Sequence, residues 1–227
     1  MSHGLLPLLQ IVTVFPAQTL LTVGVTLKRQ KGSEGMVGPE EILSFWLDEV
    51  GPKGWYAQDD ALDAAIRDRF GVTWEGASAG QFSFWLTYPS GALAYLILTD
   101  QFPRNMFRGE GKAFSTDRAA LAAAKSAIDK CWDMKIDEPA RQFFYLPLMH
   151  SENLCDQDRC VRLLCERMPE TGASNLLHAR AHREVIRRFG RFPYRNVALS
   201  RAMTGPEAAY VSDGGYGVTM RELQAAS

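Results

Sequence analysis

Two echoing stretches hold the residues best suited to bind a ligand, Asp100-Gln101-Phe102-Pro103-Arg104-Asn105 and Gly190-Arg191-Phe192-Pro193-Tyr194-Arg195-Asn196. The first follows an apolar helical segment and the second an amphipathic, arginine-rich one. Helix ends present free backbone N–H groups, and planar guanidinium groups beside them can take a carboxylate or phosphate. Asp100, Arg104, Asn105, Arg191, Arg195 and Asn196 are therefore ligand-binding candidates. The same residues also have a structural reading, in which phenylalanine folds back on the helix, asparagine caps the next turn and Asp100 neutralises an arginine.

His150-Ser151-Glu152 forms a second candidate, at a helix start just after Pro147. An imidazole near a carboxylate is what general acid–base chemistry needs, so His150 and Glu152 are the candidate catalytic pair. In the structural alternative Ser151 caps the helix and Glu152 answers its dipole. His178 and His182 lie four apart on one helix face, a spacing that can clip a metal, but Ala179 stands where a zinc protease carries its glutamate. No metal is assigned, and His182 joins the ligand-binding candidates. Cys155, Cys160 and Cys165 recur every five residues and cannot share a helix face, so they read, like Cys131, as reduced thiols. Phosphate loop, dinucleotide fingerprint and nucleophile elbow are all missing, and no cofactor is implied.

The 227 residues are 46% hydrophobic with a formal net charge of −1, which supplies a sizeable core and no global field to attract nucleic acid. Charge is segregated all the same: 34–75 is acidic and 178–201 is arginine-rich, an asymmetry that either joins two parts of the domain or marks an anion site. An uncharged apolar run over 4–27, followed by Lys28, Arg29 and Lys31, is long enough to span a bilayer but is interrupted by Pro7 and Pro16. Residues 1–38 are thus expected to be an extension, either an upstream start irrelevant to the domain or an anchor or signal. The expected location is cytoplasmic, with membrane attachment only if 4–27 is an anchor.

Positioning these residues falls to helices. Pro39 with Glu40 and Glu41 opens a first helix carrying Ile42, Phe45 and Trp46. Asp59 or Asp60 caps a second, ended at Gly71, and a third covers 77–87. The fourth, 92–101, is apolar nearly all round and should be the buried centre. A fifth starts at Ser115 or Thr116, a sixth near Pro139 that Pro147 kinks or ends, a seventh at Ser151, and an eighth spans 174–189. Thr204-Gly205-Pro206-Glu207 is a capping box for the last. About nine helices with short connections predict an all-α domain over 39–212, antiparallel pairs forming a bundle or an α/α superhelix, and a frayed glycine-rich tail over 213–227.

The two Phe-Pro stretches, Pro147-Leu148-Met149-His150-Ser151-Glu152-Asn153-Leu154 and Phe189-Gly190-Arg191-Phe192-Pro193 resemble a bacterial domain-of-unknown-function family, number 924. The likeness runs from about Glu41 to Asn196. It implies a tetratricopeptide-like α/α superhelix and brings no settled activity; this chain departs from it with Cys155 for a common alanine and Tyr194 for a common histidine. Two functional readings follow. Either the polar motifs converge on one cleft that binds a small anionic ligand, with or without transforming it, or the helix pairs form a scaffold for a peptide or protein without catalysis. Convergence of Arg104, His150 and Arg195 would separate them. Neither reading fixes whether the protein is an enzyme or its oligomeric state.

Overall fold

In a computed structural model of the chain, which describes residues 35–226, Pro39 opens helix α1 (Pro39–Leu43), which continues as a π turn over Ser44–Val50. That wider turn brings Phe45 and Trp46 both inward. Helix α2 (Asp60–Ser78) is capped by Asp59, whose Oδ1 accepts from the amides of Ala61 at 2.8 Å and Leu62 at 3.1 Å. The stop expected at Gly71 does not occur. The apolar stripe continues through Trp74 and Ala77, and helical glycine costs only about 1 kcal/mol, less than this burial returns. The helix expected over 77–87 is accordingly reduced to a 3₁₀ turn, Ser83–Thr87.

Helix α3 (Pro89–Leu96) runs on through a π turn (Ile97–Gln101) into Phe102–Met106, and residues 91–103 are all buried, as expected of a central helix. Pro103 explains the wide turn: without an N–H it cannot bond the Thr99 carbonyl one turn back. That carbonyl accepts the Thr116 hydroxyl at 2.6 Å instead. Thr116 therefore precedes α4 (Asp117–Asp129) without capping it through its side chain. Pro147 lies in the first turn of a short helix, α5 (Leu146–Met149), where its missing N–H is harmless. Asn153, not Ser151, caps α6 (Leu154–Arg167), its Oδ1 accepting from the Cys155 amide at 2.9 Å. Helix α7 (Ala173–Phe189) turns back against α6 and ends at left-handed Gly190. The capping box forms at α8 (Gly205–Ser212), with Thr204 and Glu207 bonded reciprocally.

The expected frayed tail is replaced by a ninth helix, α9 (Gly215–Ala225), packed on α7. Gly214, at φ +106°, makes the reversal that a side chain would strain, and Tyr216 and Thr219 then supply inward contacts. Among the described residues the protein is all-α, with no strand, and no helix is long and apolar enough to cross a membrane. The apolar run over 4–27 lies outside the described residues.

Two apolar clusters organise the packing. The larger joins Trp46, Phe70, Phe102 and Phe143 around α3, with Phe70 and Phe102 centroids 4.8 Å apart; the smaller is Val185, Ile186, Phe192 and Tyr210. Ion pairs do not tie 34–75 to 178–201 among the described residues. Arg183 meets Asp158, Arg191 meets Glu207 and Arg201 meets Glu152, while Arg69 and Arg108 answer the acids of the early segment. The joining role expected for the charge asymmetry is thus set aside.

Candidate functional site

Asp100 sits on the π turn of the central helix, buried to 1% exposure. A carboxylate there needs partners, and it has three. His150 Nδ1 lies 2.9 and 3.0 Å from its two oxygens, Gln101 Nε2 donates to it at 2.5 Å, and Arg104 Nη1 is 3.4 Å away and also donates to the Asp100 carbonyl. Burial works against the charge, but Arg104, His150 and the Gln101 amide outweigh it and hold the Asp100 pKa below the ordinary carboxylate value. His150 is pulled down by its own burial and by Arg104, more than Asp100 raises it. The outcome is a neutral imidazole that donates Nδ1–H to Asp100. Its Nε2, with no partner among the described residues and not sealed from solvent, is left as a proton acceptor.

Two arginines approach the same neighbourhood from the two Phe-Pro stretches and meet at Asp117, the first residue of α4. Arg104 Nη2 is 3.0 Å from Asp117 Oδ1, and Arg195 Nη1 is 3.6 Å from Oδ2. Phe114 lies against both guanidinium groups, 5.8 Å from that of Arg104 and 4.8 Å from that of Arg195. Its turn can approach because Gly111 lacks a Cβ, which would fall 2.8 Å from the Ala198 carbonyl oxygen. Burial raises the Asp117 pKa, against the attraction of Arg104.

Arg195 is only 7% exposed, yet it makes a single hydrogen bond, Nη1 to the His150 carbonyl at 3.1 Å, beside the longer approach to Asp117. A guanidinium carries five N–H donors. Nε and Nη2 of Arg195 have no partner among the described residues, and neither is sealed from solvent. Burial lowers its pKa, with Arg104 adding to the effect, so the positive charge is incompletely answered by the protein.

Three recesses adjoin at His150. One of about 310 Å³ is bordered by Asp117, Arg118, Arg195 and Glu152; one of about 210 Å³ by Arg104, Arg108, Gln101 and Tyr56; and one of about 250 Å³ by Leu146, Met149, His178 and His182. His182 donates from Nδ1 to the His178 carbonyl at 2.9 Å, and its ring centroid is 6.4 Å from that of His150. Burial drives its pKa to about 3, so it is neutral. Behind it the Tyr216 hydroxyl is hydrogen-bonded to His178 Nδ1 at 2.6 Å.

Asp100, Arg104, His150, His182 and Arg195 are thus brought together; Glu152 and Asn105 border recesses at His150 but are engaged elsewhere, and Arg191 and Asn196 border none of the three. Glu152 is held by Arg201 at 2.6 Å and by the Phe192 amide at 2.9 Å, so it borders a recess but is no partner of the imidazole; Asp100 takes that place. Burial opposes its charge, yet Arg201 and that amide keep its pKa low. Arg191 is drawn away to Glu207, at 2.5 and 2.7 Å. Asn105 serves Asp63 at 2.7 Å, and Asn196 bonds Met203 Sδ at 3.2 Å. Sequence reasoning missed Asp117, Gln101, Phe114 and Tyr216. Among the described residues no group of three or more His, Cys, Asp or Glu side chains is arranged to hold a metal.

Comparison with known proteins bears on the whole domain. The family model of DUF924, bacterial proteins of unknown function, matches residues 42–215. The structure of the protein of unknown function ATU0120 from Agrobacterium tumefaciens is similar, with a TM-score of 0.72 and 37% identity over 78% of this chain and 97% of that one. No curated protein matches.

Proposed function

This chain belongs to the bacterial family of unknown function DUF924, and from that footing we propose that the junction at His150 binds a small anionic ligand and that His150 accepts a proton from it. The observation that carries the reading is Arg195: a guanidinium buried to 7% exposure with one hydrogen bond keeps donors for a group the protein does not supply. A carboxylate or phosphate in the recess beside Asp117 and Arg118 would receive them, next to His150. Asp100 fixes the imidazole through Nδ1, leaving Nε2 toward the ligand, and favours the imidazolium formed on proton uptake. Arg104 and Asp117 hold the neighbouring charges in place, so little rearrangement is needed on binding.

The test is a thermal-shift and histidine-NMR titration with inorganic phosphate, sulfate, acetate and malonate. Wild-type protein is expected to gain stability with at least one of them, by about 2.7 kcal/mol at a hundred times the dissociation constant. The His150 ring signals should move with it. Arg195→Lys should lose the response while folding normally, because a lysine cannot reproduce the forked donor geometry. If no anion moves either signal in the wild type, the reading is wrong.

A further inference from the structure

The recess beneath His178 and His182 carries a different chemistry from its neighbours, and that difference specifies the remainder of the ligand. Leu146 and Met149 give it an apolar surface. Its polar groups are the Tyr56 and Ser174 hydroxyls, the Asn175 amide and the imidazoles of His150, His178 and His182, whose protonation burial opposes. None of its lining residues is Asp, Glu, Lys or Arg. Asn175 Nδ2 spends one N–H on Gln142 Oε1 at 2.6 Å, an oxygen that also accepts from the Tyr56 hydroxyl. A charged group entering here would be desolvated without a counter-charge, whereas an apolar group gains by leaving water.

His150 borders this recess and the one beside Arg195 alike. The third recess offers no equivalent anion site, since Asp63 answers Arg108 at 2.8 and 2.9 Å and Asp100 and Asp117 answer Arg104. Resting on the anion reading above, we infer that the ligand is an amphiphilic anion: a carboxylate or phosphate at Arg195 joined to an uncharged, largely apolar body between Leu146, Met149 and His182, with His150 at the junction of the two parts.

The experiment compares acetate, hexanoate, phenylacetate and the uncharged hexanamide and phenylacetamide by calorimetry on the full chain, with ring signals of His178 and His182 followed by NMR. Hexanoate or phenylacetate is expected to bind at least about tenfold tighter than acetate and to shift both histidine signals, which acetate leaves unmoved, because each buried methylene adds to the transfer gain. The corresponding amides should lose most of that affinity. Ser174→Phe, a change at an exposed rim position that fills the recess, should return hexanoate to the affinity of acetate and leave acetate unchanged. Acetate binding with no gain for hexanoate or phenylacetate overturns this inference and leaves the anion reading standing. Amides binding as tightly as the acids also overturn it, as does failure of every acid, and if phosphate and sulfate fail as well the anion reading falls with it.

Discussion

At the first Phe-Pro stretch Phe102 is enclosed by aromatic rings, its centroid 4.8 Å from Phe70 and 5.3 Å from Trp46, inside the main core. At the second, Phe192 is equally buried but belongs to the small cluster, with the His182 ring 5.2 Å away and Tyr194 stacked at 5.4 Å. The two arginines that follow meet at Asp117, yet Arg104 is bonded on both sides by Asp100 and Asp117 while Arg195 keeps spare donors. Nearly the same residue pattern therefore gives one exit that is structural and one that is available. The difference lies in the surroundings: the first is inside a continuous helix under a large core, the second follows a left-handed helix stop under a small one.

The largest contrast should be in stability. Phe102→Ala is expected to cost about 3–5 kcal/mol in urea denaturation, and Phe192→Ala clearly less, because the smaller cluster can collapse on the cavity. Equal losses would mean that the second exit is as much core as the first. Next, Asp117→Ala should cost about 3 kcal/mol, the low end for removing one partner of a largely buried charge group. A double-mutant cycle should find stronger coupling of Asp117 to Arg104 than to Arg195; the reverse order would make Arg195 the structural arginine.

Acid sharpens the comparison further, since His182 touches only the second exit. Its folded pKa of about 3 lies below the unfolded value of about 6.5, so the unfolded chain binds the proton first. The contribution is full above pH 6.5 and is lost as pH falls from there toward 3, by about 1.4 kcal/mol at pH 5.5. His182→Gln should flatten that slope in melting curves, and an unchanged slope would place the titration elsewhere. The smallest effect should come from Arg195→Lys, under about 1 kcal/mol without ligand, with Arg104→Lys costing more because it loses two carboxylate partners.

Residue pattern alone made much of this visible, for reasons that differ by region. The central helix was legible because 92–98 is apolar all round, and the capping box because its two partners are neighbours in sequence. Gly71 misled because glycine marks both helix ends and tolerated interior positions, and only the stripe through Trp74 and Ala77 decides between them. Arg104 and Arg195 could be grouped from the repeated Phe-Pro pattern, and His150 from the His150-Ser151-Glu152 stretch. Pairing His150 with Glu152 failed because His150 closes α5 while Glu152, in the connection to α6, is taken by Arg201, and the carboxylate that holds the ring is fifty positions earlier. Asp117 has the sequence signature of any first-turn acid, and Tyr216 is hidden among glycines.

Tyr216 also sets an order of events. It follows every other residue of the site in the chain, and it supplies the hydroxyl that holds His178 from behind. A ribosome adding about 5–20 residues per second will have released the partners of Phe102 from Phe45 to Phe143 well before this tyrosine emerges. The core can therefore consolidate while the recess still has an open wall. A nascent chain stopped short of Tyr216 should resist protease across the core yet lack the hydroxyl behind His178, so the recess is completed after the core rather than with it.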